Sequence, residues 1–246
     1  MAESFGKRFL TAEWRYLAML NYEIDPAILL PLAPKGTELD AWNGKTFVSV
    51  VGFLFLNTRV MAWTIPFHQD FEEINLRFYV RRMAQDGWRR GVVFVKEIVP
   101  RAAIAWTARW LYNENYVALP TGHVICRAED STRNIEAVKY YWTFRNTAQF
   151  MEIATRGEPY PFDEGSEEEF ITQHYWGYSS QKDGGTVEYR VEHPSWRVWQ
   201  AQSCRLECDV ENFYGRQFAN ALSAQPSSAF LAEGSEITVY KGRRIT

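Results

Sequence analysis

The sequence predicts a mainly-β, α+β protein: a large antiparallel sheet, curled or closed, carrying a few short helices. Three observations predict it. Turn signals built on Gly, Asn, Asp and Pro recur at short intervals along the whole chain. The stretches between them alternate in polarity or run apolar with β-branched and aromatic residues, and few hold helical spacing. The 246 residues are 46% hydrophobic and 16% aromatic, which supplies material for a sizeable core.

In chain order, Phe9 to Tyr22 reads as a first strand, with Trp14, Tyr16, Ala18 and Leu20 on one parity. Asp25-Pro26 is an N-cap followed by proline at the first helical position, and the short helix Ala27 to Leu32 closes at Pro34-Lys35-Gly36. Leu39 to Trp42 turns at Asn43-Gly44, a hairpin signal, into a buried strand from Thr46 to Thr58. Phe71 to Arg101 then reads as two long strands joined by a tight turn at Gln85-Asp86-Gly87. Ala102 to Glu114 is the best helix, because Ile104, Ala105, Ala108, Leu111 and Tyr112 share one face.

Strands follow from Val117, with turns near Thr121-Gly122 and Asp130-Ser131. Ser166-Glu167-Glu168-Glu169 is a capping box that opens a short acidic helix. His174 to Ser180 and Thr186 to Glu192 form a hairpin across Lys182-Asp183-Gly184-Gly185. Trp196 to Val210 is a strand, Asn212 to Leu222 a short helix, and Phe230 to Val239 a closing pair turning at Ala232-Glu233-Gly234-Ser235. No repeat, low-complexity tract or long linker divides the chain, so a single domain over residues 1–246 is expected.

The bulk chemistry narrows the function classes. A net charge of −3, from 27 basic and 30 acidic residues, leaves no electrostatic footprint for nucleic acid or an anionic membrane. No run approaches a membrane span and the N-terminus lacks the apolar core of a secretion signal. Three cysteines, an odd number, fit reduced thiols and a cytoplasmic location. His123 precedes Cys126 by three residues, and Cys204 and Cys208 share a strand face, but no fourth zinc ligand accompanies them. Phosphate-cradle, metalloprotease and serine-hydrolase motifs are missing. The sequence therefore implies no cofactor, no metal and no nucleic-acid or membrane partner, and leaves a homo-oligomer open.

Several segments together resemble a known group: Asn21-Tyr22-Glu23-Ile24-Asp25-Pro26, Val48-Ser49-Val50-Val51-Gly52-Phe53 and Phe71-Glu72-Glu73-Ile74-Asn75-Leu76-Arg77. Arg90-Gly91-Val92-Val93-Phe94, Lys96-Glu97-Ile98-Val99-Pro100-Arg101, Trp176-Gly177-Tyr178 and Glu192-His193-Pro194-Ser195-Trp196 extend it over nearly the whole chain. The chain resembles the YqjF-like bacterial family, a domain of unknown function similar in fold to acetoacetate decarboxylase. The resemblance implies a strongly curved antiparallel sheet forming a cone-shaped barrel around a central cavity. It also implies a missing activity. The decarboxylases place two adjacent lysines after a Glu-containing strand, one of them forming a Schiff base. Here that stretch reads Glu97-Ile98-Val99-Pro100-Arg101-Ala102-Ala103. Arginine stays protonated and is no amine nucleophile, and Lys96 points to the opposite strand face from Glu97.

Glu97 is the candidate for chemistry, because a carboxylate inside an apolar strand needs a partner, a proton or a ligand. A two-residue Asp86-Gly87 loop would place it opposite Leu76. A three-residue Gln85-Asp86-Gly87 loop, pairing Ala84 with Trp88, places it opposite Asn75. The second register is preferred, since it gathers Glu73, Asn75, Arg77 and Glu97 on one face and leaves Ile74, Leu76, Phe78, Phe94 and Ile98 on the other. The plain reading of that cluster is a buried ion-pair network that fixes register. The functional reading is the polar wall of a cavity: Glu73, Asn75, Arg77 and Arg101 bind a small organic anion, and Glu97 is a candidate acid or base. The ten Trp and thirteen Tyr either fill the core or wall that cavity. Glu233 and Ser235, near the last turn, fall in the region of resemblance as well.

Overall fold

The structure, a computed structural model, describes residues 6–64, 69–100, 115–128 and 134–246. Arg101, the histidine His68 in the loop expected after Pro66-Phe67, the helix expected over Ala102 to Glu114 and the turn at Asp130-Ser131 lie outside them. The first half of the chain contributes β1 (Arg8–Glu23), α1 (Pro26–Leu29), β2 (Glu38–Leu39), β3 (Phe47–Val60), β4 (Trp63–Thr64), β5 (Phe71–Ala84) and β6 (Gly87–Val99). The middle contributes β7 (Tyr116–Ala118), β8 (Thr121–Arg127), β9 (Ile135–Phe144), β10 (Thr147–Thr155), β11 (Tyr160–Pro161) and α2 (Glu167–Thr172). The last part holds β12 (Trp176–Ser180), β13 (Thr186–Glu192), β14 (Arg197–Glu207), α3 (Val210–Phe213), α4 (Ala219–Ser223), β15 (Ser228–Tyr240) and β16 (Arg243–Arg244).

Hydrogen bonding links these strands in the order β13-β12-β6-β5-β3-β1-β15-β14-β10-β9-β8. Long antiparallel pairs dominate, and β12 and β7 join β6 in parallel. The sheet curls so strongly that β13 also meets β15, pairing Val191 with Val239 and Glu192 with Thr238. The result is a strongly curved sheet, not a regular barrel.

Its long strands are buried on both sides, which explains their nearly continuous apolar sequences. Ile74, Leu76, Phe78 and Ile98 face one core, under β9, β10, α1, α3 and α4. Phe71, Tyr79, Val92 and Val99 face the other, together with Met19, Phe53, Trp196 and the α2 residues Phe170 and Ile171. The two are called the Ile74 face and the Arg77 face below. On the Ile74 face the Tyr140 ring and the Met151 thioether lie so close to β3 that only a glycine, Gly52, leaves them room.

The central hairpin pairs Asn75 with Glu97, as expected, by a different route. The loop is shorter: Ala84 pairs with Gly87 and Met83 with Trp88, leaving only Gln85 and Asp86 in the turn. A bulge then restores the register. Arg77 pairs with Phe94 and Leu76 with Lys96, so Val95 is the extra residue. That insertion reverses the alternation of β6, and Phe94 joins the Arg77 face instead of the Ile74 face. A loop-based register could not foresee this, because the sequence carries no glycine or proline at the bulge.

Two further expectations change. Asn212 to Leu222 is broken into α3, a 3-10 turn over Arg216–Phe218 and α4, because Gly215 takes φ 114. No turn interrupts Phe230 to Val239, since β15 runs unbroken from Ser228 to Tyr240 against β1. Gly234, at φ 79 and paired with Arg15, sits inside that strand, and a Cβ there would fall on the Trp14 carbonyl oxygen. Glu233 forms an ion pair with Arg197 across the strands, and Ser235 accepts a hydrogen bond from Trp196 Nε1. Among the described residues no helix is long and apolar enough to cross a membrane. Gly234→Ala is expected to lower stability by at least ~1–3 kcal/mol, through overpacking and backbone strain together; an unchanged urea midpoint would contradict the close approach of β1 and β15.

Candidate functional site

Alternation along β5 places Glu73, Asn75, Arg77 and Tyr79 on one face. Register extends this into two rows across the sheet. One runs Phe230, Met19, Val51, Asn75, Glu97, Tyr116, and the next runs Ser228, Asn21, Ser49, Arg77, Phe94. The structure thus brings together Glu73, Asn75, Arg77 and Glu97 as a group on the Arg77 face.

Glu73, Asn75 and Glu97 are buried, at 3%, 1% and 1% exposure. Asn75 Nδ2 donates to Glu73 Oε1 at 3.1 Å, and the Tyr116 hydroxyl reaches Glu73 Oε2 at the long distance of 3.4 Å. A carboxylate oxygen only accepts, so this contact fixes which end of the Asn75 amide points at Glu73. Asn75 Oδ1 is left buried with no hydrogen-bond partner among the described residues.

Arg77 departs from the plain ion-pair reading. Its guanidinium donates to the Ile171 carbonyl at 3.2 Å, rests against Met19 Sδ at 3.9 Å and lies over the Tyr79 ring at 5.6 Å. Among the described residues it forms no ion pair, and its Nε is buried without a hydrogen-bond partner. α2 closes this side of the site. Its capping box forms as the sequence predicts, with Ser166 Oγ accepting from the Glu169 N–H, and it directs Phe170 and Ile171 onto the sheet.

A second polar feature escaped the sequence reading. Ser49 Oγ donates to Asn21 Oδ1 at 2.6 Å, so the 2.7 Å contact between Ser49 and the Tyr79 hydroxyl must have Tyr79 as donor. Asn21 Nδ2 passes the chain to Ser228 Oγ at 2.9 Å, and Ser228 ends it on Glu167 Oε1 at 2.5 Å. Every donor points toward Glu167. The available signal was a polar residue inside an apolar run, Leu20-Asn21-Tyr22 and Val48-Ser49-Val50, the same signal that singled out Glu97.

Two histidines border the group. His174 is buried between Tyr79 and Phe170, with ring centroids at 4.7 and 5.2 Å. Its Nε2 lies 3.3 Å from Asp40 Oδ2, an oxygen that also accepts from Arg90 Nε at 2.6 Å. Burial pushes the His174 imidazole down to about 4, with the positive charges of Arg90 and Arg77 adding to the shift against the opposing pull of Asp40. Burial works to raise the Asp40 carboxyl, but the His174 and Arg90 hydrogen bonds overcome it and hold Asp40 below the usual carboxylate range. Since His174 is neutral at pH 7, Arg90 supplies the counter-charge. His193 stacks on Trp196 at 4.1 Å, with Tyr175 at 4.8 Å and Trp14 at 6.4 Å. Burial brings it down to about 4 as well, Arg77 contributing and the Pro194 carbonyl opposing.

Lys96 lies on the Ile74 face, its Nζ on the Phe213 carbonyl and 4.5 Å from the Phe213 ring centroid. Burial lowers its pKa, yet the sheet separates it from Glu97 and Arg77. His123 pairs with Glu72 at 2.6 Å, also away from the Arg77 face. Cys126, Cys204 and Cys208 are free thiols, and among the described residues no group of side chains could hold a metal ion.

The depressed histidines make stability depend on pH. The unfolded chain, with histidines near 6.5, binds protons that the native state refuses until about pH 4. Stability should therefore rise from about pH 4 to about pH 6.5 and then level off; Glu167, raised mainly by burial, opposes this, and the lowered Asp40 carboxyl adds a loss of stability only at more acid pH, below the ordinary aspartate range. Urea midpoints across this range test it, with His174→Gln expected to flatten the slope. A slope the substitution leaves unaltered would mean that His174 is not the buried neutral group.

Comparison with known proteins agrees with the fold. The uncharacterized protein YqjF of Bacillus subtilis (strain 168) is 23% identical over 198 residues, spanning 80% of this chain and 76% of that protein. Acetoacetate decarboxylase from Legionella pneumophila superposes with a TM-score of 0.66 at 12% identity, over 97% of this chain and 87% of its own. The enduracididine biosynthesis enzyme MppR, complexed with pyruvate, superposes with a TM-score of 0.69 at 11% identity, over 100% of this chain and 93% of its own. At such identities the likeness concerns the fold alone. With residues 11–236 matching DUF2071, described as an uncharacterized conserved protein, the chain belongs to that family, and its fold is acetoacetate decarboxylase-like.

Proposed function

We propose that this protein binds a small organic anion in a cavity on the Arg77 face, without a Schiff-base lysine. The observation that carries the reading is Arg77 itself: a half-buried guanidinium with no carboxylate partner among the described residues and an orphaned Nε. A charge taken out of water needs an opposite charge, and the planar guanidinium fork matches a carboxylate in shape. Trp14, Tyr79, Phe94 and Trp196 give the apolar wall that small-molecule sites use. MppR, of the same fold, holds pyruvate, an anion of this class. Arg101, just beyond the end of β6, is the proposed second cation, and a reducing cytoplasm suits the three free thiols.

Calorimetric titration with a panel of short carboxylic acids tests the proposal. Micromolar-to-millimolar binding of at least one acid is expected, weakened at least about tenfold in Arg77→Met through loss of a charge-assisted pair. Borohydride treatment in the presence of pyruvate is expected to leave no covalent adduct. Absence of binding across the panel, or full affinity in Arg77→Met, would overturn the reading.

A second reading makes the site catalytic, with Glu97 as acid or base on the bound acid. Its support is the burial of Glu97 beside Asn75 in the row next to Arg77. Glu97→Gln should then abolish turnover of an acid that the variant still binds; turnover unchanged in Glu97→Gln removes this reading.

A further inference from the structure

We propose that the Arg77 site selects hydroxy acids over the corresponding keto acids, with Asn75 Oδ1 as the residue atom that discriminates. The inference rests on the anion-binding reading of Arg77 and names the ligand class for the same site.

The argument is one of hydrogen-bond polarity. Three neutral polar groups near Arg77, Asn75, Tyr79 and His174, each turn an acceptor toward it. Asn75 turns its NH2 to Glu73, which leaves Oδ1 as a buried acceptor with no partner among the described residues. Tyr79 gives its only proton to Ser49, because Ser49 has spent its own on Asn21. His174 presents Nε2 to the Asp40 carboxylate, so Nε2 carries the hydrogen and Nδ1 is an acceptor, again buried and unpartnered among the described residues. Arg77 is tied to both neighbours: its guanidinium lies over the Tyr79 ring that also packs on His174, and it bonds to Ile171, three residues before His174.

The unpaired polar atoms of these three groups are therefore acceptors, while Trp14 Nε1, on the apolar wall, is a buried donor without a partner among the described residues. An anion bound to Arg77 satisfies the cation but does nothing for Asn75 Oδ1. A keto oxygen brought there would set acceptor against acceptor, and the buried amide oxygen would lose any solvation it had. A hydroxyl on the same ligand supplies the missing donor. Geometry fits a small molecule, since Asn75 and Arg77 are two residues apart on one strand face, about 7 Å between Cα atoms, and the Arg77 guanidinium rests against Met19, which lies in the row of Asn75. Sites built to hydrogen-bond a substrate hydroxyl discriminate strongly against the analogue lacking it.

The test compares matched pairs, lactate with pyruvate and 3-hydroxybutyrate with acetoacetate, by calorimetric titration of the full-length protein. The hydroxy acid of at least one pair is expected to bind about tenfold more tightly, the ratio that one buried hydrogen bond supplies. Asn75→Leu should bring the ratio to about one. Equal affinities in the wild-type protein, or a preference for the keto acid, overturn the inference and leave the Arg77 reading standing. Failure of all four acids while another acid of the panel binds overturns the inference alone, and failure of the whole panel overturns both. A ratio that survives Asn75→Leu removes the role given to Asn75. Should that variant not fold, the wild-type ratio alone decides.

Discussion

β5 is buried on both of its faces, and the rest of the molecule follows from that constraint. A strand exposed on one side can place its polar residues in water. Here each second residue meets a different core, so Glu73, Asn75 and Arg77 must all find partners inside. Neighbouring strands inherit the demand through register. Asn21, Ser49 and Ser228 line up with Arg77 because one residue of slip in β1, β3 or β15 would send each of them into the aliphatic Ile74 face. The polar groups thereby hold the register of four adjacent strands, and register in turn holds the polar groups.

That mutual dependence gives the two polar sets different characters. The chain from Tyr79 through Ser49, Asn21 and Ser228 to Glu167 is continuous: the side-chain oxygens and the amide nitrogen along it each have a partner within the chain. Buried networks of this kind specify a unique arrangement when fully satisfied. The group at Asn75 and Arg77 is open, with an acceptor and a donor that have no partner among the described residues, on adjacent positions of one face. Unsatisfied buried groups are rare in native proteins and call for an explanation. A bound molecule that both accepts and donates provides one.

The shared fold divides the ionisable groups between two interiors. A curved sheet with two cores offers two separate interiors, and the side of β6 on which a lysine falls decides which interior can use it. Lys96 falls on the Ile74 side, where burial lowers its pKa next to the Phe213 ring. The Arg77 side holds the carboxyls of Glu73 and Glu97, the Arg77 guanidinium and the imidazoles of His174 and His193, kept neutral by burial. Lys96 and Arg77 are thus on opposite sides of the same strand pair.

What the sequence could tell was set by local rules. Alternation along β5, the apolar runs of β3 and β6, the capping box at Ser166 and the turn at Asn43-Gly44 each depend on neighbours in the chain, and each is legible there. The grouping of Glu73, Asn75 and Arg77 was legible too, since parity along one strand places residues without any knowledge of the core, whereas Glu97 joined them as expected only because a bulge offset a shorter loop. The Val95 bulge was not, because it arises from the fit of two twisted strands, and with it went the side taken by Phe94. Nor could parity show that Arg77 would turn to the Ile171 carbonyl and away from the nearby carboxylates, or that His174, Asp40 and the Asn21–Ser49 row would close around it. Those are contacts between segments far apart in the chain, and only the curvature of the sheet, which no single strand encodes, brings them within reach of one another.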